Sequence, residues 1–407
     1  MLRWLIIGGG IHGSYMANLL IHQAGVAADD LRVLDPHDRL LAAWQRNTAN
    51  CGMRYLRSPA THHIDLPILS LYRFAKTCPD RTGNNFIPPY NRPSLALFER
   101  HSRHVIANHH LADLHIRGRA LSLGKGVGGM VVETGSGRIS ARNLLLAIGM
   151  GEQLCRPGWV EGLQREGADV SHVFEPDFRR RRTPAADRTA IVGGGITAVQ
   201  TALRLTEETR GEIQVISSHG LKERFYDFDP CWIGPKCLRD YYRLGYRQRR
   251  RVIDEARFPG TLPAEVMSAF QTAVGQERLR FLRGEIKRAT VAGGRIRLEM
   301  DNGLQAFDRV ILATGFLPRR PGGALIDAAV ETLNLRCNPC GYPIVGDDLR
   351  WDEHLYVTGP LAELQIGPCA RNIIGARNAG RHLLRAAASP AAPERGNARR
   401  PASETGF

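Results

Sequence analysis

The chain opens on a short apolar run, Leu2 to Ile7, that breaks into glycine and resumes with helical spacing over Ser14 to Gln23. A second apolar run, Leu31 to Leu34, ends at Asp35. Short apolar runs bounded by turn residues predict strands buried on both faces, as in a parallel sheet. Residues 2–35 therefore predict strand, tight turn, helix, strand. Helical spacing recurs near Ile68–Lys76 and over Leu95–Asn108. From Leu114 to Ala147 short runs alternate with glycine-rich turns (Gly124, Gly126, Gly128, Gly129, Gly135, Gly137), which predicts an antiparallel meander. It closes on a buried strand, Asn143 to Ile148, before Gly149.

The opening pattern then returns. Residues 155–187 hold Pro, Gly and an arginine run and predict a linker. From Thr189 an apolar strand leads into Gly193-Gly194-Gly195, a helix over Thr197 to Thr209 and a strand from Glu212 to Ile216. Short strands follow over 279–313 and close on Arg309 to Ala313. Residues 354–385 predict a strand, a Gly/Pro turn and a helix from about Ala370; they lack a glycine opening and so return to complete the first unit. The expected fold is α/β, with two Rossmann-like three-layer dinucleotide-binding domains, the second inserted in the first. The boundaries are 1–155 and 315–385 for the first domain, 156–187 for the linker, 188–314 for the second domain, and 386–407 for a disordered tail rich in Ala, Pro, Arg and Ser.

The glycine turns carry the first candidate chemistry. Gly8-Gly9-Gly10-Ile11-His12-Gly13 matches G-x-G-x-x-G. Gly8 allows the turn, Gly10 lets backbone approach a pyrophosphate, and Gly13 lets helix and strand pack closely. The pyrophosphate then meets the positive end of the helix. Asp35, at the end of the next strand, is placed to accept hydrogen bonds from ribose hydroxyls. The second turn, Gly193, Gly195 and then Ala198 in the third place, leads to a strand ending in Ser217-Ser218-His219 with no acid. Hydroxyls there, with Lys222 and Arg224 nearby, suit a 2′-phosphate that a carboxylate would repel. The first site is therefore assigned to FAD and the second to NADPH in preference to NADH. Two such cofactors in one chain imply hydride transfer from nicotinamide to flavin.

Composition narrows this only a little. The 407 residues are 43% hydrophobic and 23% charged, an ordinary globular balance. No apolar run reaches the roughly 18 residues of a membrane span, so no membrane partner is expected. The apolar start runs into glycine without a cleavage site, so it is not read as a signal peptide and the chain is read as cytoplasmic. The eight cysteines are scattered, and no disulfide framework is expected. Cys337-Asn-Pro-Cys340 has redox or zinc spacing but lies in a Pro/Gly-rich stretch without a second pair; it is read as an ordinary loop, and no metal is expected. The net charge is +15, carried almost wholly by arginine. The runs Arg179–Arg182 and Arg247–Arg251, the latter following Tyr241, Tyr242 and Tyr246, are read as solvated surface. Nucleic acid is thus not an expected partner, although the second run has the aromatic interleaving of RNA binders.

The Gly8 and Gly193 fingerprints, Ile311-Leu312-Ala313-Thr314-Gly315-Phe316 and Leu355-Tyr356-Val357-Thr358-Gly359 together resemble the two-dinucleotide-binding flavoproteins. Within them the chain is most similar to flavin-dependent monooxygenases of the lysine/ornithine N-hydroxylase type, over roughly residues 1–385. The resemblance implies that reduced flavin and O2 form a C4a-hydroperoxide whose distal oxygen passes to a nucleophilic nitrogen or sulfur of a small polar metabolite. It implies that Thr314 and Gly315 close the NADPH domain and that Gly359 and Gly367 approach the flavin. Trp44-Gln45 and the stretch from Cys51 through Arg54, Arg57, His62 and His63 would run beside the isoalloxazine, and Arg92 would lead a helix near the substrate. Arg54, Arg57, His62, His63 and Arg92 are the candidate catalytic groups. Gly167 to His172 weakly matches a linker signature of related monooxygenases. The chain departs from the pattern in being short for an ornithine hydroxylase. Cys51 is single, whereas the disulfide reductases of this architecture need a cysteine pair. The alternatives are an NAD(P)H-dependent flavoprotein reductase without oxygen insertion and, more distantly, a flavin-bearing nucleic-acid-binding protein. Substrate identity and oligomeric state, a homo-oligomer included, stay open.

Overall fold

The computed structural model describes residues 1–77, 84–180 and 186–388, with side chains to 385. Its first sheet has a parallel centre. In order across the sheet, Leu355–Val357, Gly137–Leu146, Leu2–Ile7, Leu31–Asp35 and His115–Arg117 pair side by side in parallel, and Arg350–Asp352 adds an antiparallel edge. The predicted meander is present as Ala120–Gly126, Gly129–Thr134 and Gly137–Leu146, hung from the same sheet. The central strands bury Leu5, Ile6, Leu144, Leu145 and Leu146 completely, with Met16, Leu19 and Leu20 of the helix Ile11–His22 against them.

The second sheet is wholly parallel, in the order Arg280–Arg283, Glu212–Ser217, Arg188–Val192, Arg309–Leu312 and Val170–His172. A three-stranded antiparallel sheet over Ile286–Phe307 packs beside it. The edge strand Val170–His172 corrects the linker expected over 156–187. That segment also carries the helix Val160–Arg165, whose Val160 and Leu163 are buried in the second unit's core. Arg181 and Arg182 of the first arginine run, Cys78, and the tail beyond residue 388 lie outside the described residues.

The two units repeat one another closely. Ile7 pairs with Leu34 and Val192 with Ile216, so Gly8 faces Asp35 as Gly193 faces Ser217. Gly8 N–H donates to Leu34 and Gly193 N–H to Ile216, both at 2.8 Å. Both glycines have positive φ (106° and 147°), and a Cβ on either would lie 2.4 Å from a carbonyl oxygen, of Ala147 and Ala313 respectively. Only glycine fits such a crossing. The units differ at the next contact. A Cβ on Gly13 would meet the Gly8 carbonyl oxygen at 1.8 Å, whereas Ala198 holds its own Cβ in the second copy and is fully buried.

Between the second unit's second strand and Arg280–Arg283 runs an excursion whose helices, Pro235–Tyr241 and Tyr246–Ala256, dock on the returning segment of the first unit. Here the second arginine run is corrected. Arg249 is 8% exposed, donates to the carbonyls of Leu244, Tyr242 and Leu364 and to Gln365 Oε1, and lies among the rings of Tyr241, Tyr242 and Tyr246. Arg250, with Arg371, pairs with the buried Glu363. Burial pushes the Glu363 carboxyl up, but Arg371 and Arg250 outweigh it and hold it below the usual range. Of the first run, Arg180 is ion-paired to Glu208 through two 2.8 Å contacts. Cys231 and Cys237 are disulfide-bonded at the start of this excursion, a pairing the scattered cysteines did not lead us to expect. Cys337 and Cys340 are unlinked.

Candidate active site

The helix Ile11–His22 starts at Gly10, where a built Cβ meets nothing within 4 Å, so this face of the fingerprint is open to a ligand. Asp35 sits beside it. One carboxylate oxygen accepts the Gly9 N–H at 2.6 Å; the other accepts the His37 N–H at 2.9 Å and lies 2.7 Å from His37 Nδ1. Next to this corner is a groove of about 700 Å³ lined by Asp38, Arg39, Gln45, Arg46, Glu99 and Arg103 among others. An open helix start, a strand-end carboxylate and a polar groove beside them fit the pyrophosphate and adenosine of a flavin dinucleotide. Gln45 lines the groove, while Trp44 packs on Phe98 at 4.9 Å between ring centroids.

The second fingerprint faces a different partner. Ser217 stands where Asp35 stands in the first unit, and Ser218 is the exposed residue beyond it. Ser217 Oγ accepts the His219 N–H at 3.3 Å. A Cβ on Gly194 would come 2.6 Å from His219 Cε1, and one on Gly260 2.9 Å from it, so the imidazole lies between two glycines. Arg224 is exposed and stacks on Phe258 at 4.1 Å. The strand end carries hydroxyls at Ser217 and Ser218 and no acid, which fits a 2′-phosphorylated nucleotide. Thr314 donates to the Cys155 carbonyl, and Gly315, with φ 77°, accepts the Cys155 N–H at 2.9 Å. His172 lies at the same end of this sheet, paired to Leu312 and fully buried; burial depresses its pKa to about 4.

The returning segment ties the two ends of the first unit together. His12, inside the first fingerprint, faces Thr358 Oγ1 at 3.0 Å and the Asn372 carbonyl at 3.2 Å. Gly359, with φ 64°, lies against this ring: a Cβ there would be in ordinary contact, 3.6 Å from His12 Nδ1. Gly367, with φ 89°, likewise lies against Leu238 of the excursion.

At the junction of all three segments is a cavity of about 30 Å³ lined by Arg57, Ser58, His62, Tyr226, Asp227, Phe228, Asn372 and Ile374. The five candidate catalytic groups divide around it. Arg57 and His62 line the cavity. Burial holds His62 neutral by depressing its pKa to about 4, with Arg377 and His63 adding to the effect. His63 is turned away: its Nε2 faces the Ile68 carbonyl at 3.1 Å and its ring packs on His101. Arg54 lies at the surface, paired with Glu207. Arg92 is 1% exposed and is held by Glu265 and the Pro88 carbonyl. The arginines at 54, 57 and 92 thus bind the second unit to the first. Asp227 and Asn372 were missed in the sequence because neither belongs to a motif.

No family model and no curated protein matches the sequence. Solved structures do match the fold. An ornithine hydroxylase from Pseudomonas aeruginosa superposes with a TM-score of 0.73 at 16% identity, covering 95% of this chain and 98% of that one. An ornithine N-hydroxylase from Kutzneria sp. 744, solved with reduced FAD, NADP+ and L-ornithine, gives 0.72 at 15% identity over 95% and 99%. A bacillithiol disulfide reductase from Staphylococcus aureus gives 0.58 at 14% identity over 95% and 97%. The chain therefore has the two-dinucleotide-domain fold of the flavin-dependent monooxygenases, the ornithine hydroxylases among them.

Proposed function

We propose that this chain is an FAD- and NADPH-dependent monooxygenase that oxygenates a nucleophilic nitrogen or sulfur of a small molecule. The observation that carries the reading is the convergence of the Arg57–His62 stretch of the first unit, the second unit and the returning segment on one cavity. Gly8, Gly10, Gly13 and Asp35 would hold FAD, with Gln45 in the groove for its adenosine half. Gly193, Gly195 and Ala198 would hold the NADPH pyrophosphate, and Ser217, Ser218, Lys222 and Arg224 its 2′-phosphate. Held by these residues, the flavin would supply acceptance of hydride from NADPH and activation of O2.

The protein's part is placement and exclusion of water. Tyr226, Phe228 and Ile374 form the apolar side of the cavity and would limit the access of water to reactive species. His62, neutral at pH 7, adds no charge beside the reacting atoms. His12 fixes the fingerprint helix against Thr358 and Asn372 and so sets how far the cofactor cradle lies from the cavity.

A second reading, an NADPH-dependent reductase without oxygen insertion, draws on the similarity to a disulfide reductase. Cys51, the cysteine at the expected place, opposes the disulfide form of it. Its thiol is buried against Thr48 and Gln200, and burial raises its pKa to about 11. Comparing NADPH consumed with oxygenated product separates the two readings. Near-equal amounts support the monooxygenase, and rapid turnover with an artificial acceptor without O2 supports the reductase.

A further inference from the structure

We propose, resting on the NADPH reading above, that Arg57 is a positioning residue for the cofactor's 2′-phosphate. From the first unit it fixes both members of the Arg224–Phe258 pair in the second, and so sets the preference for NADPH over NADH.

Arg57 is a frame here and not a counter-ion. Its Nε donates to the Phe225 carbonyl and its Nη1 to that of Thr261. Its Nη2 donates to the Arg224 carbonyl at 2.7 Å and to Thr261 Oγ1 at 2.8 Å. All four acceptors are neutral oxygens, and they lie on two separate stretches of the second unit. Those stretches form a short ribbon: Lys222–Glu223 pairs in parallel with Thr261–Leu262, and the Arg224 N–H donates to the Leu262 carbonyl at 2.8 Å. A planar fork of five N–H donors holds several acceptors in fixed directions at once, whereas an ammonium offers three donors from one point.

The ribbon carries an exposed cation. The Arg224 guanidinium lies over the Phe258 ring, 4.1 Å from its centroid. Arg57 holds the Arg224 backbone directly. It holds Phe258 at one remove, because Thr261 Oγ1 accepts from Arg57 and donates its own hydrogen to the Phe258 carbonyl at 3.0 Å. Thr261 is buried, which shields this link from water. The Phe258 N–H is spent as well, on the Asp227 carbonyl at 2.7 Å. An arginine that grips a phosphate loses rotamer freedom; resting it on a fixed ring lowers that cost before the ligand arrives.

The pair stands beside the second fingerprint. The turn after Phe258 reaches Gly260, with φ 69°, and a Cβ on Gly195 would lie 3.7 Å from Gly260 Cα. A Cβ on Gly260 would lie 2.9 Å from His219 Cε1, and His219 directly follows Ser217 and Ser218. The ring under Arg224 is thus two residues from a glycine packed on the corner assigned to the 2′-phosphate. A charge-assisted bond from Arg224 to phosphate needs the guanidinium held in that corner.

The test uses FAD-loaded protein titrated calorimetrically with 2′,5′-ADP and with 5′-AMP, which share the adenosine and differ in the 2′-phosphate. Arg224→Ala should weaken 2′,5′-ADP about tenfold or more and barely change 5′-AMP. Arg57→Lys keeps the positive charge and loses the fork; it should weaken 2′,5′-ADP about five- to tenfold, again selectively. Thr261→Val keeps Arg57 and the ribbon's backbone bonds and removes the link to Phe258; a selective loss of about two- to fivefold is expected. In the Arg224→Ala background Arg57→Lys should add no further selective loss, since it acts through Arg224. Full retention of the preference by Arg57→Lys and Thr261→Val overturns the inference. So does equal weakening of both ligands, or an undiminished selective loss in the Arg224→Ala background. If Arg57→Lys does not take up FAD, Thr261→Val decides alone. An unchanged ratio in Arg224→Ala itself places the 2′-phosphate elsewhere and removes the NADPH reading of this corner, and this inference with it.

Discussion

Arg92 and Glu265 form a two-pronged ion pair, 2.7 and 2.8 Å, across the boundary between the two Rossmann-like units. The pair is lopsided: the Arg92 side chain is 1% exposed and that of Glu265 38%. Removing the carboxylate strands a buried cation, whereas removing the arginine leaves a carboxylate that water can reach. Glu265→Ala should therefore destabilise by about 3 kcal/mol or more, and Arg92→Met by distinctly less. Urea unfolding of the two variants checks the order. Equal losses would mean that the buried end of the pair is not the costly one.

Gly13 and Ala198 occupy the same place in the two fingerprints but differ in the room they have. Gly13→Ala would press a methyl group against the Gly8 carbonyl and should cost FAD content and about 1–3 kcal/mol of stability. Ala198→Gly should cost about 1 kcal/mol and spare nucleotide binding. Flavin released on denaturation, measured per chain, reads the first effect directly.

Ser217 faces Gly193 as Asp35 faces Gly8, so the two strand ends are one position apart in chemistry and equivalent in space. Ser217→Asp should shift the ratio of NADP+ to NAD+ affinity toward NAD+ by about tenfold or more. Calorimetric titration with 2′,5′-ADP and 5′-AMP isolates that end of the nucleotide. An unchanged ratio would place the 2′-phosphate elsewhere.

Burial depresses the pKa values of His12, His62, His63 and His172 to about 4 and that of His101 to about 3, from an unfolded value near 6.5. The unfolded chain thus binds protons that the folded chain refuses. The stability these groups contribute is fully present above pH 6.5 and is lost as pH falls toward 4. Each contributes up to about 1.4 kcal/mol per pH unit in that window. Melting temperature followed from pH 8 to pH 4.5 should fall steeply only below about pH 6.5.

What the sequence revealed follows from how local each constraint is. The fingerprints were legible because a crossing 2.4 Å from a carbonyl admits only glycine, and that requirement is written at Gly8 and Gly193 themselves. The helix Leu95–Asn108 was legible to the residue, since Ser94 caps it through the Leu97 N–H. The arginines were not. Arg54, Arg57, Arg92 and Arg249 have partners more than a hundred residues away, and one chain's sequence carries no mark of such pairings. The strand Val170–His172 escaped notice because three residues are too few to show a period. Asn372 became visible only through its neighbours Asp227 and His12, which the fold brings to it.

The most direct test is anaerobic titration of the purified, FAD-reconstituted protein with NADPH, followed by readmission of O2. The account predicts that about one equivalent of NADPH bleaches the flavin absorbance, that NADH does so far less readily, and that O2 restores it. A chain that neither retains nor takes up FAD, or whose bound flavin stays oxidised under excess NADPH, would contradict it.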